Sequence, residues 1–159
     1  MYLQGTCVSY KVVMSSKYDC LKIENQLCFP LYVASKEVVR RYQPYLKHFD
    51  LTYTQYIAMM VIWEKEVLSV KELCEALYLD SGTVSPLIRK LRDKGYISMK
   101  HSKEDERVQL ISLTEKGEEL QEKLKQIPSQ IGSCVNLSEE DAGKLYTILY
   151  QLIGGLKQQ

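Results

Sequence analysis

The chain has 159 residues and a mass of 18.4 kDa, the length of a single domain and enough to bury a core without disulfides or metals. With 21 Lys+Arg against 20 Asp+Glu and 45% hydrophobic residues, the composition excludes a disordered chain, and net charge alone points to no partner. Any nucleic-acid surface has to come from where the cations fall. The longest apolar run, Ile57 to Trp63, is far short of the roughly 20 residues a membrane helix needs. The N-terminus has neither the leading positive cluster nor the apolar stretch of a signal peptide, so a cytoplasmic protein with no membrane association is expected. Cys7, Cys20, Cys28, Cys74 and Cys134 are odd in number and irregularly spaced, with no C-x-x-C and only two histidines. That pattern argues against a disulfide scaffold or a structural zinc site, and no cofactor or metal is expected.

In chain order, residues 1–20 show no period and read as a mobile N-terminal extension. The remainder, 21–159, reads as one body. From Ile23 to about Phe49 the apolar spacing predicts a long helix with Pro30 in its first turn, which Pro44 should end or kink. Thr52 with Gln55 forms a capping box before the apolar run Ile57 to Trp63, and Ser69 with Glu72 repeats the signature before a short helix. Val84, Leu87, Ile88 and Leu91 then mark the inner stripe of a helix stopped by Gly95. Pro86 lies deep for a helix start, so an irregular first turn is expected. The outer face carries Ser81, Thr83 and Ser85 in front and Arg89 and Lys90 behind. Two β-prone stretches, Tyr96 to Lys100 and Val108 to Leu113, flank a polar loop. Thr114 caps a helix reaching about Ile127, where Pro128 ends it, and Ser138 with Asp141 caps a last amphipathic helix.

Two short helices followed by a hairpin with a charged tip give the order of a winged helix-turn-helix, mainly α with a small β-wing. The second helix can enter a major groove, its front touching base edges while cations reach phosphates. Arg89, Lys90, Arg92, Lys94, Lys100 and Lys103 stand against Asp93 alone in that stretch, a local basic stripe in a neutral protein. From charge alone a merely solvated helix face is an equal reading.

The stretch DERVQLISLTEKG, residues 105–117, resembles the wing of the MarR family of bacterial transcriptional regulators. There an arginine enters the minor groove and an acidic neighbour helps hold it, roles the resemblance places on Arg107 and Asp105. A narrow minor groove concentrates the negative potential that attracts arginine. IENQLCFPLYVASKEVVRRYQPYL, LTYTQY, LYLDSGTVSPLIRKL and EDERVQLISLTEKG together resemble the organic-hydroperoxide-sensing, OhrR-like branch. The resemblance implies a homodimer, with residues 23–50 and 115–157 as dimerisation helices and 52–114 as the DNA-binding module on an inverted-repeat operator of double-stranded DNA. It further implies Cys28 as the peroxide sensor, its thiolate held by the hydroxyls of Tyr42 and Tyr53, with Tyr32 nearby and able to act from the partner subunit. A helix N-terminus lowers the pKa of a thiol, and Pro30 sets Cys28 near one.

In the two-cysteine members a resolving cysteine comes from the other subunit, a role implied for Cys134. Oxidation of Cys28 by organic hydroperoxide would then release a repressor from its operator, a regulator and not an enzyme. Cys74 reads as packing, and Cys7 and Cys20 are assigned nothing. Three alternatives stay open: a repressor released by a small aromatic ligand, a thiol-dependent peroxidase, and a protein adaptor that does not bind DNA.

Overall fold

In the computed structural model, residues 16–133 and 136–156 are described. The chain divides into two compact units with the boundary between Tyr56 and Ile57, and each is described by itself.

The first unit opens on two short 3-10 turns, Asp19–Leu21 and Ile23–Asn25, before helix α1, Cys28–Lys47. The predicted helix therefore begins five residues later than its apolar spacing suggests. Polar side chains hold the preceding backbone in turns, as such residues do when they compete with a helix ladder. The Asp19 carboxylate accepts the Ser16 N–H at 2.8 Å and pairs with Lys22 Nζ at 2.8 Å. Asn25 Nδ2 donates to the Asp19 carbonyl at 2.7 Å, and Gln26 Nε2 to the Cys20 carbonyl at 2.5 Å. Within the expected extension, Asp19 starts the first 3-10 turn and is buried, and residues 1–15 lie outside the described residues.

Pro44 sits inside α1, which runs one turn past it to Lys47. The proline removes a single backbone bond where the ladder is about to end anyway. Over its 20 residues α1 buries Leu46 alone and leaves Phe29, Leu31, Tyr32 and Val38 exposed, as is Leu27 just before it. Helix α2, Tyr53–Lys65, starts on the expected capping box: Gln55 N–H donates to Thr52 Oγ1 at 3.3 Å, and Thr52 N–H to Gln55 Oε1 at 3.1 Å.

The second unit continues with β1 (Val67–Ser69), α3 (Val70–Leu77), α4 (Ser81–Asp93), β2 (Ile97–His101), β3 (Gln109–Leu113), α5 (Glu115–Leu124), α6 (Ile127–Gly132) and α7 (Glu139–Leu156). The strands form an antiparallel sheet in the order β1-β3-β2, with Leu68 and Met99 both registered on Ile111. Strand β1 has three residues and no alternation long enough to announce it. Leu73, Val84, Leu87, Ile88, Leu91, Ile97, Ile111, Leu120 and Leu124 are buried, so the predicted stripe of α4 is its inner face. Pro128 lies in the first turn of α6 instead of ending a longer helix, and α5 stops at Leu124. Proline's fixed φ suits a helix start. Ser138 accepts the Asp141 N–H at 3.1 Å in front of α7, a helix with no buried residue.

Helix α4 owes its position to its ends. At its front Asp80 accepts the Thr83 N–H at 2.9 Å and the Thr83 hydroxyl at 2.8 Å, and those bonds hold its carboxyl below the ordinary value of 3.8. The first turn is regular despite Pro86. The carbonyl that this proline leaves unmatched belongs to Gly82, which is exposed to solvent. At the other end Gly95, with φ 76°, donates to the Arg92 carbonyl at 2.8 Å, and Tyr96 N–H reaches the Leu91 carbonyl at 3.1 Å. This paired closure needs the left-handed backbone that glycine adopts at least cost.

Gly117 is fixed by close approach: a Cβ there would stand 2.1 Å from the Tyr96 carbonyl oxygen. Thr114 N–H already holds that oxygen at 3.2 Å, and the Gly117 carbonyl accepts Trp63 Nε1 at 3.0 Å. Gly117→Ala is expected to destabilise the protein by about 3 kcal/mol, read as a fall of roughly 10 °C in thermal midpoint; an unchanged midpoint would show that the junction yields. Asp80→Ala is expected to lower the midpoint by a few degrees at neutral pH through loss of the cap. A depressed carboxyl stabilises the folded state above its unfolded value and ceases to do so as pH falls through the folded one. The gap between wild type and Asp80→Ala should therefore close below pH 3.8, and a gap constant with pH would count against the cap.

Candidate functional site

Cys28 is the first residue of α1, and its side chain is exposed. Tyr32 follows one turn later and is 63% exposed. Tyr42 lies 14 residues beyond Cys28 on the same helix, a rise of about 21 Å. A phenol and a thiol cannot bridge that gap, so no hydrogen bond joins Tyr42 to the Cys28 of its own chain.

What does meet Tyr42 is α2. Tyr53 and Tyr56 stand three residues apart there, on one helix face. The Tyr42 ring lies 4.9 Å from the Tyr53 ring at an interplanar angle of 59°, and 5.7 Å from the Tyr56 ring at 42°. These are tilted arrangements that aromatic pairs favour. Tyr42 and Tyr53 are half-buried, whereas Tyr56 is 2% exposed. Burial pushes the phenols of Tyr42 and Tyr53 up and that of Tyr56 up to about 12, because a phenolate is disfavoured away from water. All three hold their protons near neutral pH, which leaves Tyr42 and Tyr53 as uncharged O–H donors.

The structure thus joins Tyr42 to Tyr53 and adds Tyr56, which apolar periodicity assigns to nothing but a buried helix. Cys134 lies outside the described residues.

In the second unit, Ser81, Thr83, Ser85, Arg89 and Lys90 are all exposed on α4. The Thr83 hydroxyl donates to Asp80, and the Ser85 hydroxyl donates to the Ser81 carbonyl at 2.7 Å. Both hydroxyl oxygens keep the capacity to accept. Arg92 is tied to Asp93 at 2.9 Å, so the basic stripe of α4 consists mainly of Arg89 and Lys90.

In the wing, Asp105 Oδ1 accepts the backbone N–H of Arg107 at 2.9 Å, and its carbonyl accepts the Val108 N–H at 2.9 Å. Ser102 N–H donates to the Val108 carbonyl at 2.8 Å. Asp105 therefore shapes the turn from which Arg107 projects, acting on the main chain of that residue. Arg107 and Val108 share a cleft of about 650 Å³ with Lys71, Cys74, Asp80 and Ser81, so the front of α4 and the wing arginine open on the same side. Asp80 is the residue here that sequence reasoning missed. Its signal was present, since an aspartate three residues before a threonine at a helix start is a cap.

Among the described residues no cluster suits a metal ion, and no helix is long and apolar enough to cross a membrane. The family model described as transcriptional regulator SarA/Rot matches residues 40–124. The organic hydroperoxide resistance transcriptional regulator of Bacillus subtilis (strain 168) is 46% identical over 146 residues, 92% of this chain and 99% of the relative. AbfR of Staphylococcus epidermidis, in its reduced form bound to DNA, superposes with a TM-score of 0.75 at 27% identity, covering 90% of this chain and 98% of that one. Disulfide-formed AbfR gives 0.61 at 28% identity, over 87% and 94% of the two chains. With a family model matched across more than half its length and a relative covered almost end to end, the chain belongs to the MarR family of transcriptional regulators, on its OhrR-like, organic-hydroperoxide branch.

Proposed function

We propose that this regulator is a cytoplasmic homodimeric repressor that binds an inverted-repeat operator in double-stranded DNA and leaves it when organic hydroperoxide oxidises Cys28. The observation that carries this reading is the separation along α1. Cys28 is exposed at one end, and a cluster of uncharged phenol donors stands about 21 Å away at the other, with unpartnered apolar residues between them. A second copy running antiparallel would bring each thiol to the other chain's Tyr42 and Tyr53 while covering those residues. Tyr32, one turn beyond Cys28, would line the same junction. The helices within 23–50 and 115–157 would make the dimer, consistent with an α7 that buries nothing of its own.

The thiolate attacks a peroxide oxygen. An S–O bond forms, the O–O bond breaks, and the departing alkoxide takes a proton to become an alcohol. Sulfur loses two electrons to give a sulfenic acid. Attack on it by the thiol of the partner subunit's Cys134 would expel water and form an intersubunit disulfide. Each step is stoichiometric, as befits a switch.

On the DNA side, the module of residues 52–114 would place Ser81, Thr83 and Ser85 at base edges or phosphates, with Arg89 and Lys90 on phosphates. Arg107, held by Asp105, would enter the minor groove. Two such modules must stand about one helical turn, roughly 34 Å, apart. A change at the dimer base that alters this spacing loses contacts on one half-site and weakens binding.

Operator binding is expected to fall after treatment of the reduced protein with cumene hydroperoxide, while Cys28→Ser stays bound; retained affinity with an oxidised Cys28 would defeat the switch. Non-reducing electrophoresis should show a covalent dimer for the oxidised wild type and none for Cys134→Ser, and a dimer in both would remove Cys134 from the scheme. Arg107→Ala is expected to weaken operator binding roughly tenfold or more. Steady-state consumption of peroxide with a thiol reductant would favour a peroxidase instead.

A further inference from the structure

We propose that Tyr56 is a positioning residue of the redox site, its buried ring fixing the tilt at which Tyr42 presents its hydroxyl to the partner subunit's Cys28. The inference rests on the tyrosine-held thiolate proposed above and adds a residue that does not itself touch the sulfur.

The three rings divide by exposure. Tyr42 and Tyr53 are half-buried, whereas Tyr56 is 2% exposed. Tyr42 comes from α1 and meets both rings of α2, 4.9 Å from Tyr53 and 5.7 Å from Tyr56, at different interplanar angles. One aromatic neighbour leaves a tyrosine free to swing about its own side-chain torsions. Two neighbours spaced i and i+3 on a rigid helix, touching the ring at 59° and 42°, define its plane.

A hydrogen bond to sulfur has a directional optimum like any other. A Tyr42 hydroxyl free to wander holds a thiolate less well than one whose ring is clamped, since pre-organised donors are not ordered at the moment of use. The phenol of Tyr56, pushed up to about 12 by burial, stays uncharged and introduces no anion beside the thiolate. What bears on Tyr42 is the contact of its ring.

The test is the pH dependence of Cys28 oxidation by cumene hydroperoxide, followed in the full-length reduced protein for wild type, Tyr56→Leu, Tyr56→Phe and Tyr42→Phe. Tyr56→Leu should move the midpoint of the rate profile to higher pH and slow the reaction at neutral pH by about 2- to 10-fold, the size of one lost aromatic contact. Tyr56→Phe keeps the ring and should retain the wild-type midpoint.

A residue that only fills the core would lower the thermal midpoint of Tyr56→Leu without moving the pH profile, and a folded Tyr56→Leu with a wild-type profile overturns the proposal. So does a Tyr56→Phe profile displaced as far as that of Tyr42→Phe, an outcome that decides the matter even where Tyr56→Leu fails to fold. If Tyr42→Phe itself leaves the profile unchanged, the tyrosine-held thiolate is lost and Tyr56 with it. A displaced Tyr42→Phe beside an unmoved Tyr56→Leu removes only the role of Tyr56.

Discussion

An α-helix gains about 1.5 Å per residue, and that fixed rise decides what Cys28 can meet. The thiol and Tyr42 share α1, so no rotamer brings them together. The constraint turns two separate puzzles into one. A helix that buries Leu46 alone and exposes Phe29, Leu31, Tyr32 and Val38 is an incomplete piece of packing, since such residues are ordinarily covered by another element. A thiol that Tyr42 of its own chain cannot reach would be an incomplete sensor. An antiparallel second copy would complete both, so in the proposed dimer the chemistry and the assembly would depend on the same contact and perturbing one would perturb the other.

The second unit differs in kind. Its sheet, the buried faces of α3, α4 and α5, and the Gly117 junction close on themselves. The reading elements sit on that closed scaffold with their geometry set by local hydrogen bonds: Asp80 at the front of α4, Gly95 at its end, Asp105 in the wing turn. Two of these three are acids placed beside cations on the surface proposed to meet DNA, where a carboxylate would otherwise repel phosphate. Each spends its charge on backbone N–H groups, a stronger use of an anion than an exposed ion pair. A module closed in this way would move as a body, as the proposed spacing switch requires.

Much of this is legible in the sequence, for identifiable reasons. Caps at Thr52, Ser69, Thr114 and Ser138 are local patterns, and all four make the expected bonds. The inner stripe of α4 is legible because four residues at i, i+3, i+4 and i+7 leave little choice of face. The failures are positions where a local rule meets a competing local bond. Asp19, Asn25 and Gln26 pull the start of the first long helix back to Cys28. Pro44 and Pro86 each remove one ladder bond within about a turn and a half of a helix end, and neither stops its helix. Tyr78 takes the left-handed conformation, φ 57°, that ends α3, a place where sequence rules look for glycine. Tyr56 escapes for another reason: its neighbours Ala58 and Met59 are buried too, and within an all-apolar run nothing distinguishes a tyrosine that supports a site from one that fills space.

The choice of phenols over cations at the proposed sensor has its own logic. A lysine or arginine beside Cys28 would stabilise the thiolate more strongly, but it would remain charged after the sulfur had lost its negative charge, leaving a cation partly buried without a partner. Tyr42 and Tyr53 are phenols that keep their protons near neutral pH, and burial pushes them up further. In the proposed site they would donate to an anion before oxidation and could donate to or accept from a neutral sulfenic acid or another polar group afterwards. The junction therefore loses the strength of charge-assisted hydrogen bonds on oxidation without acquiring an uncompensated charge. A change of that size biases a two-state interface without unfolding it, and a clamped Tyr42 transmits it more fully than a mobile one.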